Sequence, residues 1–226
     1  MTFEATAGLS LGEFTALAAA GVTTFEQGLQ VVRQRGIFMQ EACESTKGGM
    51  AAIIGLDEEK TREVCAEAGV NLANLNCPGQ IVISGESDKM QKACELAKTR
   101  GAKKAMPLPV AGAYHSPLMA VAQTKLETVL SSLSLGVPQI PVISNVTGRP
   151  HGGPADIHRR VVEQVTSSVL WEDSMRWLLG QGFTRFIELG PGKALSGFMR
   201  RIAPDAQMLN VGDVASLEAT VKQLTS

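Results

Sequence analysis

Apolar residues at Leu11, Phe14, Leu17 and Ala18 recur at helical spacing up to Gly21, so the first clear element is a short amphipathic helix. Ahead of it, Phe3 to Thr6 is a β-prone run. Thr24 with Gln27 three residues on has the form of a capping box, and the helix it opens runs to about Ala42. Phe25, Leu29, Val32 and Met39 form its expected apolar stripe, and Arg35 falls on the same stripe. Beyond residue 50 the pattern changes. Met50–Gly55 is an apolar strand, Asp57–Ala68 an amphipathic helix ended by Gly69, and Val70–Asn76 and Gln80–Ser84 are strands joined through Cys77-Pro78-Gly79. A charged helix, Ser87–Arg100, and a strand, Ala102–Val110, follow. The order βαββαβ predicts a ferredoxin-like subdomain over 47–110, inserted into a larger body made of 1–46 and 111–226.

The body continues with a helix over Pro117–Leu133, a strand over Gln139–Val146 and a helix over Ala155–Thr166. Helix, strand, helix, strand and helix then alternate from Glu172 to Leu224. Alternation of this kind predicts an α/β fold, a mainly parallel sheet flanked by helices, like that of the α/β-hydrolases. A hydrophobic content of 44% and a net charge of −1 over 226 residues fit an ordinary globular chain, with no basic bias toward nucleic acid or an anionic membrane. No apolar run reaches membrane-spanning length, and the first residues lack the pattern of a signal peptide. Cys43, Cys65, Cys77 and Cys94 have no metal-ligand spacing, which points to free thiols in a reducing, cytoplasmic setting.

Candidate chemistry concentrates at three places. Gly8-Leu9-Ser10-Leu11-Gly12 stands between a strand and a helix, so it reads either as a plain turn or as a nucleophile elbow. In the second reading Ser10 attacks, and a backbone N–H such as that of Leu11 faces the developing oxyanion. Arg35 is either a structural ion pair or a fork for a substrate carboxylate. His115 precedes Ser116-Pro117, a cap and first position of a helix, so it lies on a loop; it is either a surface residue or the general base for Ser10. Cys77 reads as a small buried hydrophobe, His151 and His158 as solvent-exposed residues, and Gly190-Pro191-Gly192-Lys193 as turn chemistry without the spacing of a phosphate loop.

Several motifs occur in order along nearly the whole chain: Gly8-Leu9-Ser10-Leu11-Gly12-Glu13, Val32-Arg33-Gln34-Arg35-Gly36, Asn76-Cys77-Pro78-Gly79-Gln80, Gly112-Ala113-Tyr114-His115-Ser116 and Glu188-Leu189-Gly190-Pro191-Gly192-Lys193. Together with Gln164 and Trp171 they resemble the malonyl-CoA:acyl carrier protein transacylases. The resemblance implies that Ser10 carries the malonyl ester, His115 activates it, and the backbone carbonyl of Gln164 orients His115. It further implies that Arg35 binds the malonyl carboxylate, and that the N–H of Leu11 is half of an oxyanion hole. Malonyl-CoA and acyl carrier protein would be the partners of a monomer in fatty acid biosynthesis, with no cofactor, nucleic acid or membrane. Two departures stand out. Leu9 replaces the family's usual histidine, and the family's leading strand and G-Q-G-S-Q motif, whose glutamine supplies the other oxyanion donor, are not found between Met1 and Ser10. A shortened member is therefore expected. Two other functions share part of this pattern: a serine esterase or thioesterase, which would normally place a carboxylate behind its histidine, and a non-catalytic domain that binds acyl-CoA or carrier protein.

Overall fold

A computed structural model describes residues 2–225. The chain divides into two compact units, one running to Ser174 and one from Met175 onward. The first opens with β1 (Thr6–Ala7), α1 (Leu11–Ala19) and α2 (Phe25–Ser45). Thr24 and Gln27 cap α2 as the sequence predicts: the Gln27 N–H donates to the Thr24 hydroxyl at 3.2 Å, and the Thr24 N–H donates to the Gln27 side chain at 3.2 Å. The buried stripe of α2 differs from the expected one. Gly28, Val31, Arg35, Met39 and Ala42 face inward, whereas Phe25 and Leu29 are exposed. Spacings of three and four residues link the observed set, and Gly28 at its head lies beside Ala18 of α1. Arg35 belongs to both stripes, which is why its burial was legible.

β2 (Gly48–Ile54), α3 (Glu58–Ala68), β3 (Asn71–Cys77), β4 (Gln80–Glu86), α4 (Ser87–Thr99) and β5 (Lys104–Pro107) follow. Their strands lie in the order β5-β2-β4-β3, all pairings antiparallel. Ile53, Val64, Leu72, Ile83 and Met90 anchor the apolar layer between sheet and helices. Cys77, at the end of β3, is buried, in keeping with its reading as a small hydrophobe.

A 3₁₀ turn, Pro117–Met119, capped by the Ser116 hydroxyl, leads into α5 (Ala120–Ser131). β6 (Val142–Ile143), α6 (Pro154–Glu163), β7 (Val169–Leu170) and the start of α7 (Trp171–Gly180) complete the first unit. β6 is shorter than the predicted Gln139–Val146. Pro138 and Pro141 have no N–H to donate, and the Ser144 N–H turns back to the Arg149 carbonyl at 2.9 Å. β6 pairs in parallel with β1, and β7 adds a parallel fifth strand beside β3. The fold is α/β with helices flanking sheet, and the pairings that involve a strand of this unit outside 47–110, β1 with β6 and β7 with β3, are parallel, as expected for the body. Three of the four pairings in the largest sheet are antiparallel, because its strands are joined by the hairpin and crossovers of the 47–110 segment. Phe14, Leu17, Met119, Leu126 and Ile157 form the core shared by α1, α2, α5 and α6.

The second unit carries β8 (Arg185–Leu189), α8 (Ala194–Ile202), β9 (Gln207–Val211) and α9 (Val214–Thr225), with β8 and β9 parallel. Among the described residues, no helix is long and apolar enough to cross a membrane.

Candidate active site

Ser10 sits between β1 and α1 at φ 53° and ψ −104°, outside the ordinary wells of an L residue. His115 has φ 57°, and these two are the only non-glycine residues with positive φ among the described residues. Strain of this kind persists only where the surroundings over-determine it, and here it falls on two groups in contact. Gly8 explains part of the elbow. A Cβ built on it would lie 1.9 Å from the Gly12 carbonyl oxygen, so the chain can close this tightly only without a side chain there. Asn145, just after β6, pins both sides: its Oδ1 accepts from the Ser10 N–H at 2.6 Å, and its Nδ2 donates to the Gly8 carbonyl at 2.7 Å.

The loop before the 3₁₀ turn brings His115 to the serine. His115 Nε2 lies 2.9 Å from Ser10 Oγ, and Nδ1 lies 2.9 Å from the Gln164 carbonyl oxygen. A carbonyl only accepts, so Nδ1 carries the proton and Nε2 is free to accept the one on Ser10. The Gln164 oxygen is available because it lies at the C-terminal end of α6, where carbonyls run out of helical partners. His115 is held down to about 4, first by burial and then by the Arg35 charge, against opposite pulls from the Gln164 and Ser167 backbone. It is therefore a neutral base at pH 7, competent to take a proton.

Arg35 reaches the same oxygen from α2. Its Nη2 donates to Ser10 Oγ at 2.9 Å and to Gln164 Oε1 at 3.0 Å, and the guanidinium lies 5.5 Å from the Phe14 ring centroid. Burial lowers its pKa to about 10, partly offset by Glu13, so it stays cationic at neutral pH. Leu11 is the first residue of α1, so its N–H has no carbonyl within the helix to bond, and the helix dipole adds its positive end there. The structure thus brings Ser10, His115, Gln164 and Arg35 into hydrogen-bonding contact, with the Leu11 N–H at the same turn.

The sequence reading missed the layer beneath. Glu13 is fully buried in the first turn of α1; its Oε2 accepts from Gln164 Nε2 at 2.6 Å, and its Oε1 from the Asn145 N–H at 3.2 Å. His151, expected at the surface, is buried, with Nε2 2.7 Å from Glu13 Oε1. Its polar neighbours in sequence mislead, because the 144–151 loop folds back and the His151 N–H bonds the Val142 carbonyl. His158 keeps a partly open position opposite Ser131. One signal for Glu13 was available: it shares a helix face with Ala16, Leu17 and Ala20, all buried.

The acyl transferase domain family matches residues 2–219. A malonyl CoA-acyl carrier protein transacylase of Bacillus subtilis is 44% identical over 99% of this chain and 72% of its own length. The crystal structure of a malonyl CoA-acyl carrier protein transacylase from Clostridium perfringens superposes with a TM-score of 0.96 at 38% identity, covering 100% of this chain and 72% of that one. A type II PKS acyl-carrier protein in complex with its malonyl-transacylase gives a TM-score of 0.95 at 37% identity, over 99% and 74% of the two chains.

Proposed function

We propose that this chain, which belongs to the acyl transferase domain family, moves a malonyl group from coenzyme A to the phosphopantetheine thiol of an acyl carrier protein through an ester on Ser10. The single observation that carries this reading is that Ser10 Oγ is touched at once by a neutral imidazole and by a buried guanidinium. A base alone suits any ester, whereas the added cation suits an acyl group that ends in a carboxylate.

His115 Nε2 takes the Ser10 proton as Oγ bonds to the thioester carbonyl carbon. The Leu11 N–H meets the negative charge that develops on the carbonyl oxygen. When the carbon–sulfur bond breaks, His115 returns its proton to the coenzyme A sulfur, leaving malonyl-Ser10. The carrier thiol then gives its proton to His115, its sulfur bonds to the ester carbon, and Ser10 Oγ leaves and is reprotonated. No cofactor is needed for this balance. Arg35 pairs with the malonyl carboxylate and selects malonyl over acetyl. The Gln164 carbonyl, rather than a carboxylate, holds His115, which distinguishes the arrangement from the usual esterase triad. One chain supplies Ser10, His115, Arg35 and Gln164, so a monomer suffices for this chemistry, and the four free, buried cysteines suit a reducing cytoplasm.

Intact mass after incubation with malonyl-CoA tests the reading. We expect a gain of one malonyl group that is absent in Ser10→Ala and passes to added holo-carrier protein. In Arg35→Ala, transition-state stabilisation toward malonyl-CoA should drop by about 2–5 kcal/mol, with a smaller effect on acetyl-CoA. A protein that never becomes covalently loaded, yet binds malonyl-CoA, would be a binding domain; hydrolysis of the loaded ester in preference to thiol transfer would mark a thioesterase.

A further inference from the structure

We propose that Glu13 is a positioning residue for this reaction: by fixing the side-chain amide of Gln164 in one orientation, it aims the Arg35 guanidinium at the acyl carboxylate.

Both side chains of the Glu13–His151 pair are fully buried. Three groups converge on the Glu13 carboxylate, from Gln164 Nε2, the Asn145 N–H and His151 Nε2, and the first two can only donate. Gln164 Nε2 also donates to the Ser10 carbonyl at 2.9 Å, so the amide nitrogen is spoken for on both hydrogens. Its oxygen is left facing Arg35 Nη2 at 3.0 Å, and the same Nη2 lies 2.9 Å from Ser10 Oγ. No carboxylate pairs directly with Arg35 among the described residues; its compensating charge is Glu13, reached across the Gln164 amide. A buried cation bridged in this way keeps its remaining donors for a ligand while its position is set from behind.

Replacing Glu13 with Gln keeps the shape and removes the symmetry of the acceptor. The two obligate donors use different oxygens of the carboxylate, so in the amide one keeps an acceptor and the other meets the new NH₂. Turned toward Gln164, it flips that amide, setting NH₂ against Arg35 and oxygen against the Ser10 carbonyl. Turned toward His151, it takes the acceptor from the Asn145 N–H that steadies the elbow. His115 is held by the main chain of Gln164, not by its amide, so the base itself is less disturbed.

The proposal rests on the malonyl-ester reading, and the experiment separates the two. Acylation of Ser10 is measured as kcat/KM with malonyl-CoA and with acetyl-CoA, which lacks the carboxylate. If the unaltered chain forms no ester with malonyl-CoA, the function reading itself fails. If it does, Glu13→Gln should lower the malonyl-to-acetyl ratio by about ten- to hundredfold. In an Arg35→Ala background the same substitution should leave the ratio unchanged, because one residue acts through the other. Equal losses with both acyl groups, or an unchanged ratio in a folded variant, overturn the proposal. Should Glu13→Gln fail to fold, His151→Phe removes one donor to the carboxylate while leaving Glu13 in place. The ratio then falls, with recovery in His151→Gln, or it stays constant and the proposal is wrong.

Discussion

Two strand-to-helix junctions in this protein are built alike and used differently. Between β1 and α1 the chain passes through Gly8 and Ser10; between β8 and α8 it passes through Gly190 and Gly192, both at positive φ. Each ends at a helix N-terminus, where backbone N–H groups lack partners. At the second junction Glu188, from β8, fills that end. Its carboxylate accepts from the Leu195 N–H at 3.1 Å and the Ser196 N–H at 2.9 Å, and from the Ser196 hydroxyl. At the first junction the buried carboxylate, Glu13, lies inside the helix and accepts instead from Gln164, Asn145 and His151, so it does not fill the helix end at Leu11. A carboxylate placed one way completes the fold; placed the other way, it leaves room for a reacting anion.

The largest effect is expected from closing the first junction. Gly8→Ala forces a Cβ onto the Gly12 carbonyl, so the elbow must open, and mass spectrometry should show loss of the acyl-serine comparable to Ser10→Ala. Normal loading in that variant would mean that the turn geometry is not what exposes Ser10.

Next in size is the response to acid. Because burial holds His115 at about 4, the rate of Ser10 acylation should stay level as pH falls past 6.5 and then drop about tenfold per unit below that value of about 4. The same group weakens the fold between 6.5 and about 4, where the unfolded chain takes up a proton that the native chain excludes. A kinetic limb near 6.5 would instead describe a hydrated histidine.

The smallest effect belongs to the second junction. Glu188→Gln leaves one of its donors poorly matched and should cost about 1–3 kcal/mol, read as a lower urea midpoint. If its cost in stability were negligible, the contrast between a filled and an unfilled helix terminus would lose its meaning.

Local signals sufficed for much of this. The capping box at Thr24 and Gln27, the Gly69 stop after α3, the serine elbow and the Ser116-Pro117 start all depend on neighbours within a few residues, where backbone preferences act. Arg35 was legible because a charge on an apolar stripe is a conflict visible in one helix. The stripe itself was misread at Phe25 and Leu29, since periodicity shows that a helix has two faces without saying which one another helix will cover.

By itself, the sequence determined the α/β class, the family and the reactive types: a serine at a turn, a histidine on a loop, an arginine on a buried face. Only the tertiary structure decided how they act together. His115 is 105 residues from Ser10, and Gln164 is 49 from His115, so their contacts depend on how α6 and the preceding loop pack. His151 was hidden for the same reason: burial is a property of what folds over a residue, and the 144–151 loop brings a polar stretch under the elbow. Chemistry at this site is therefore written in residue types along the chain, while protonation, aim and charge balance come from neighbours that only folding supplies.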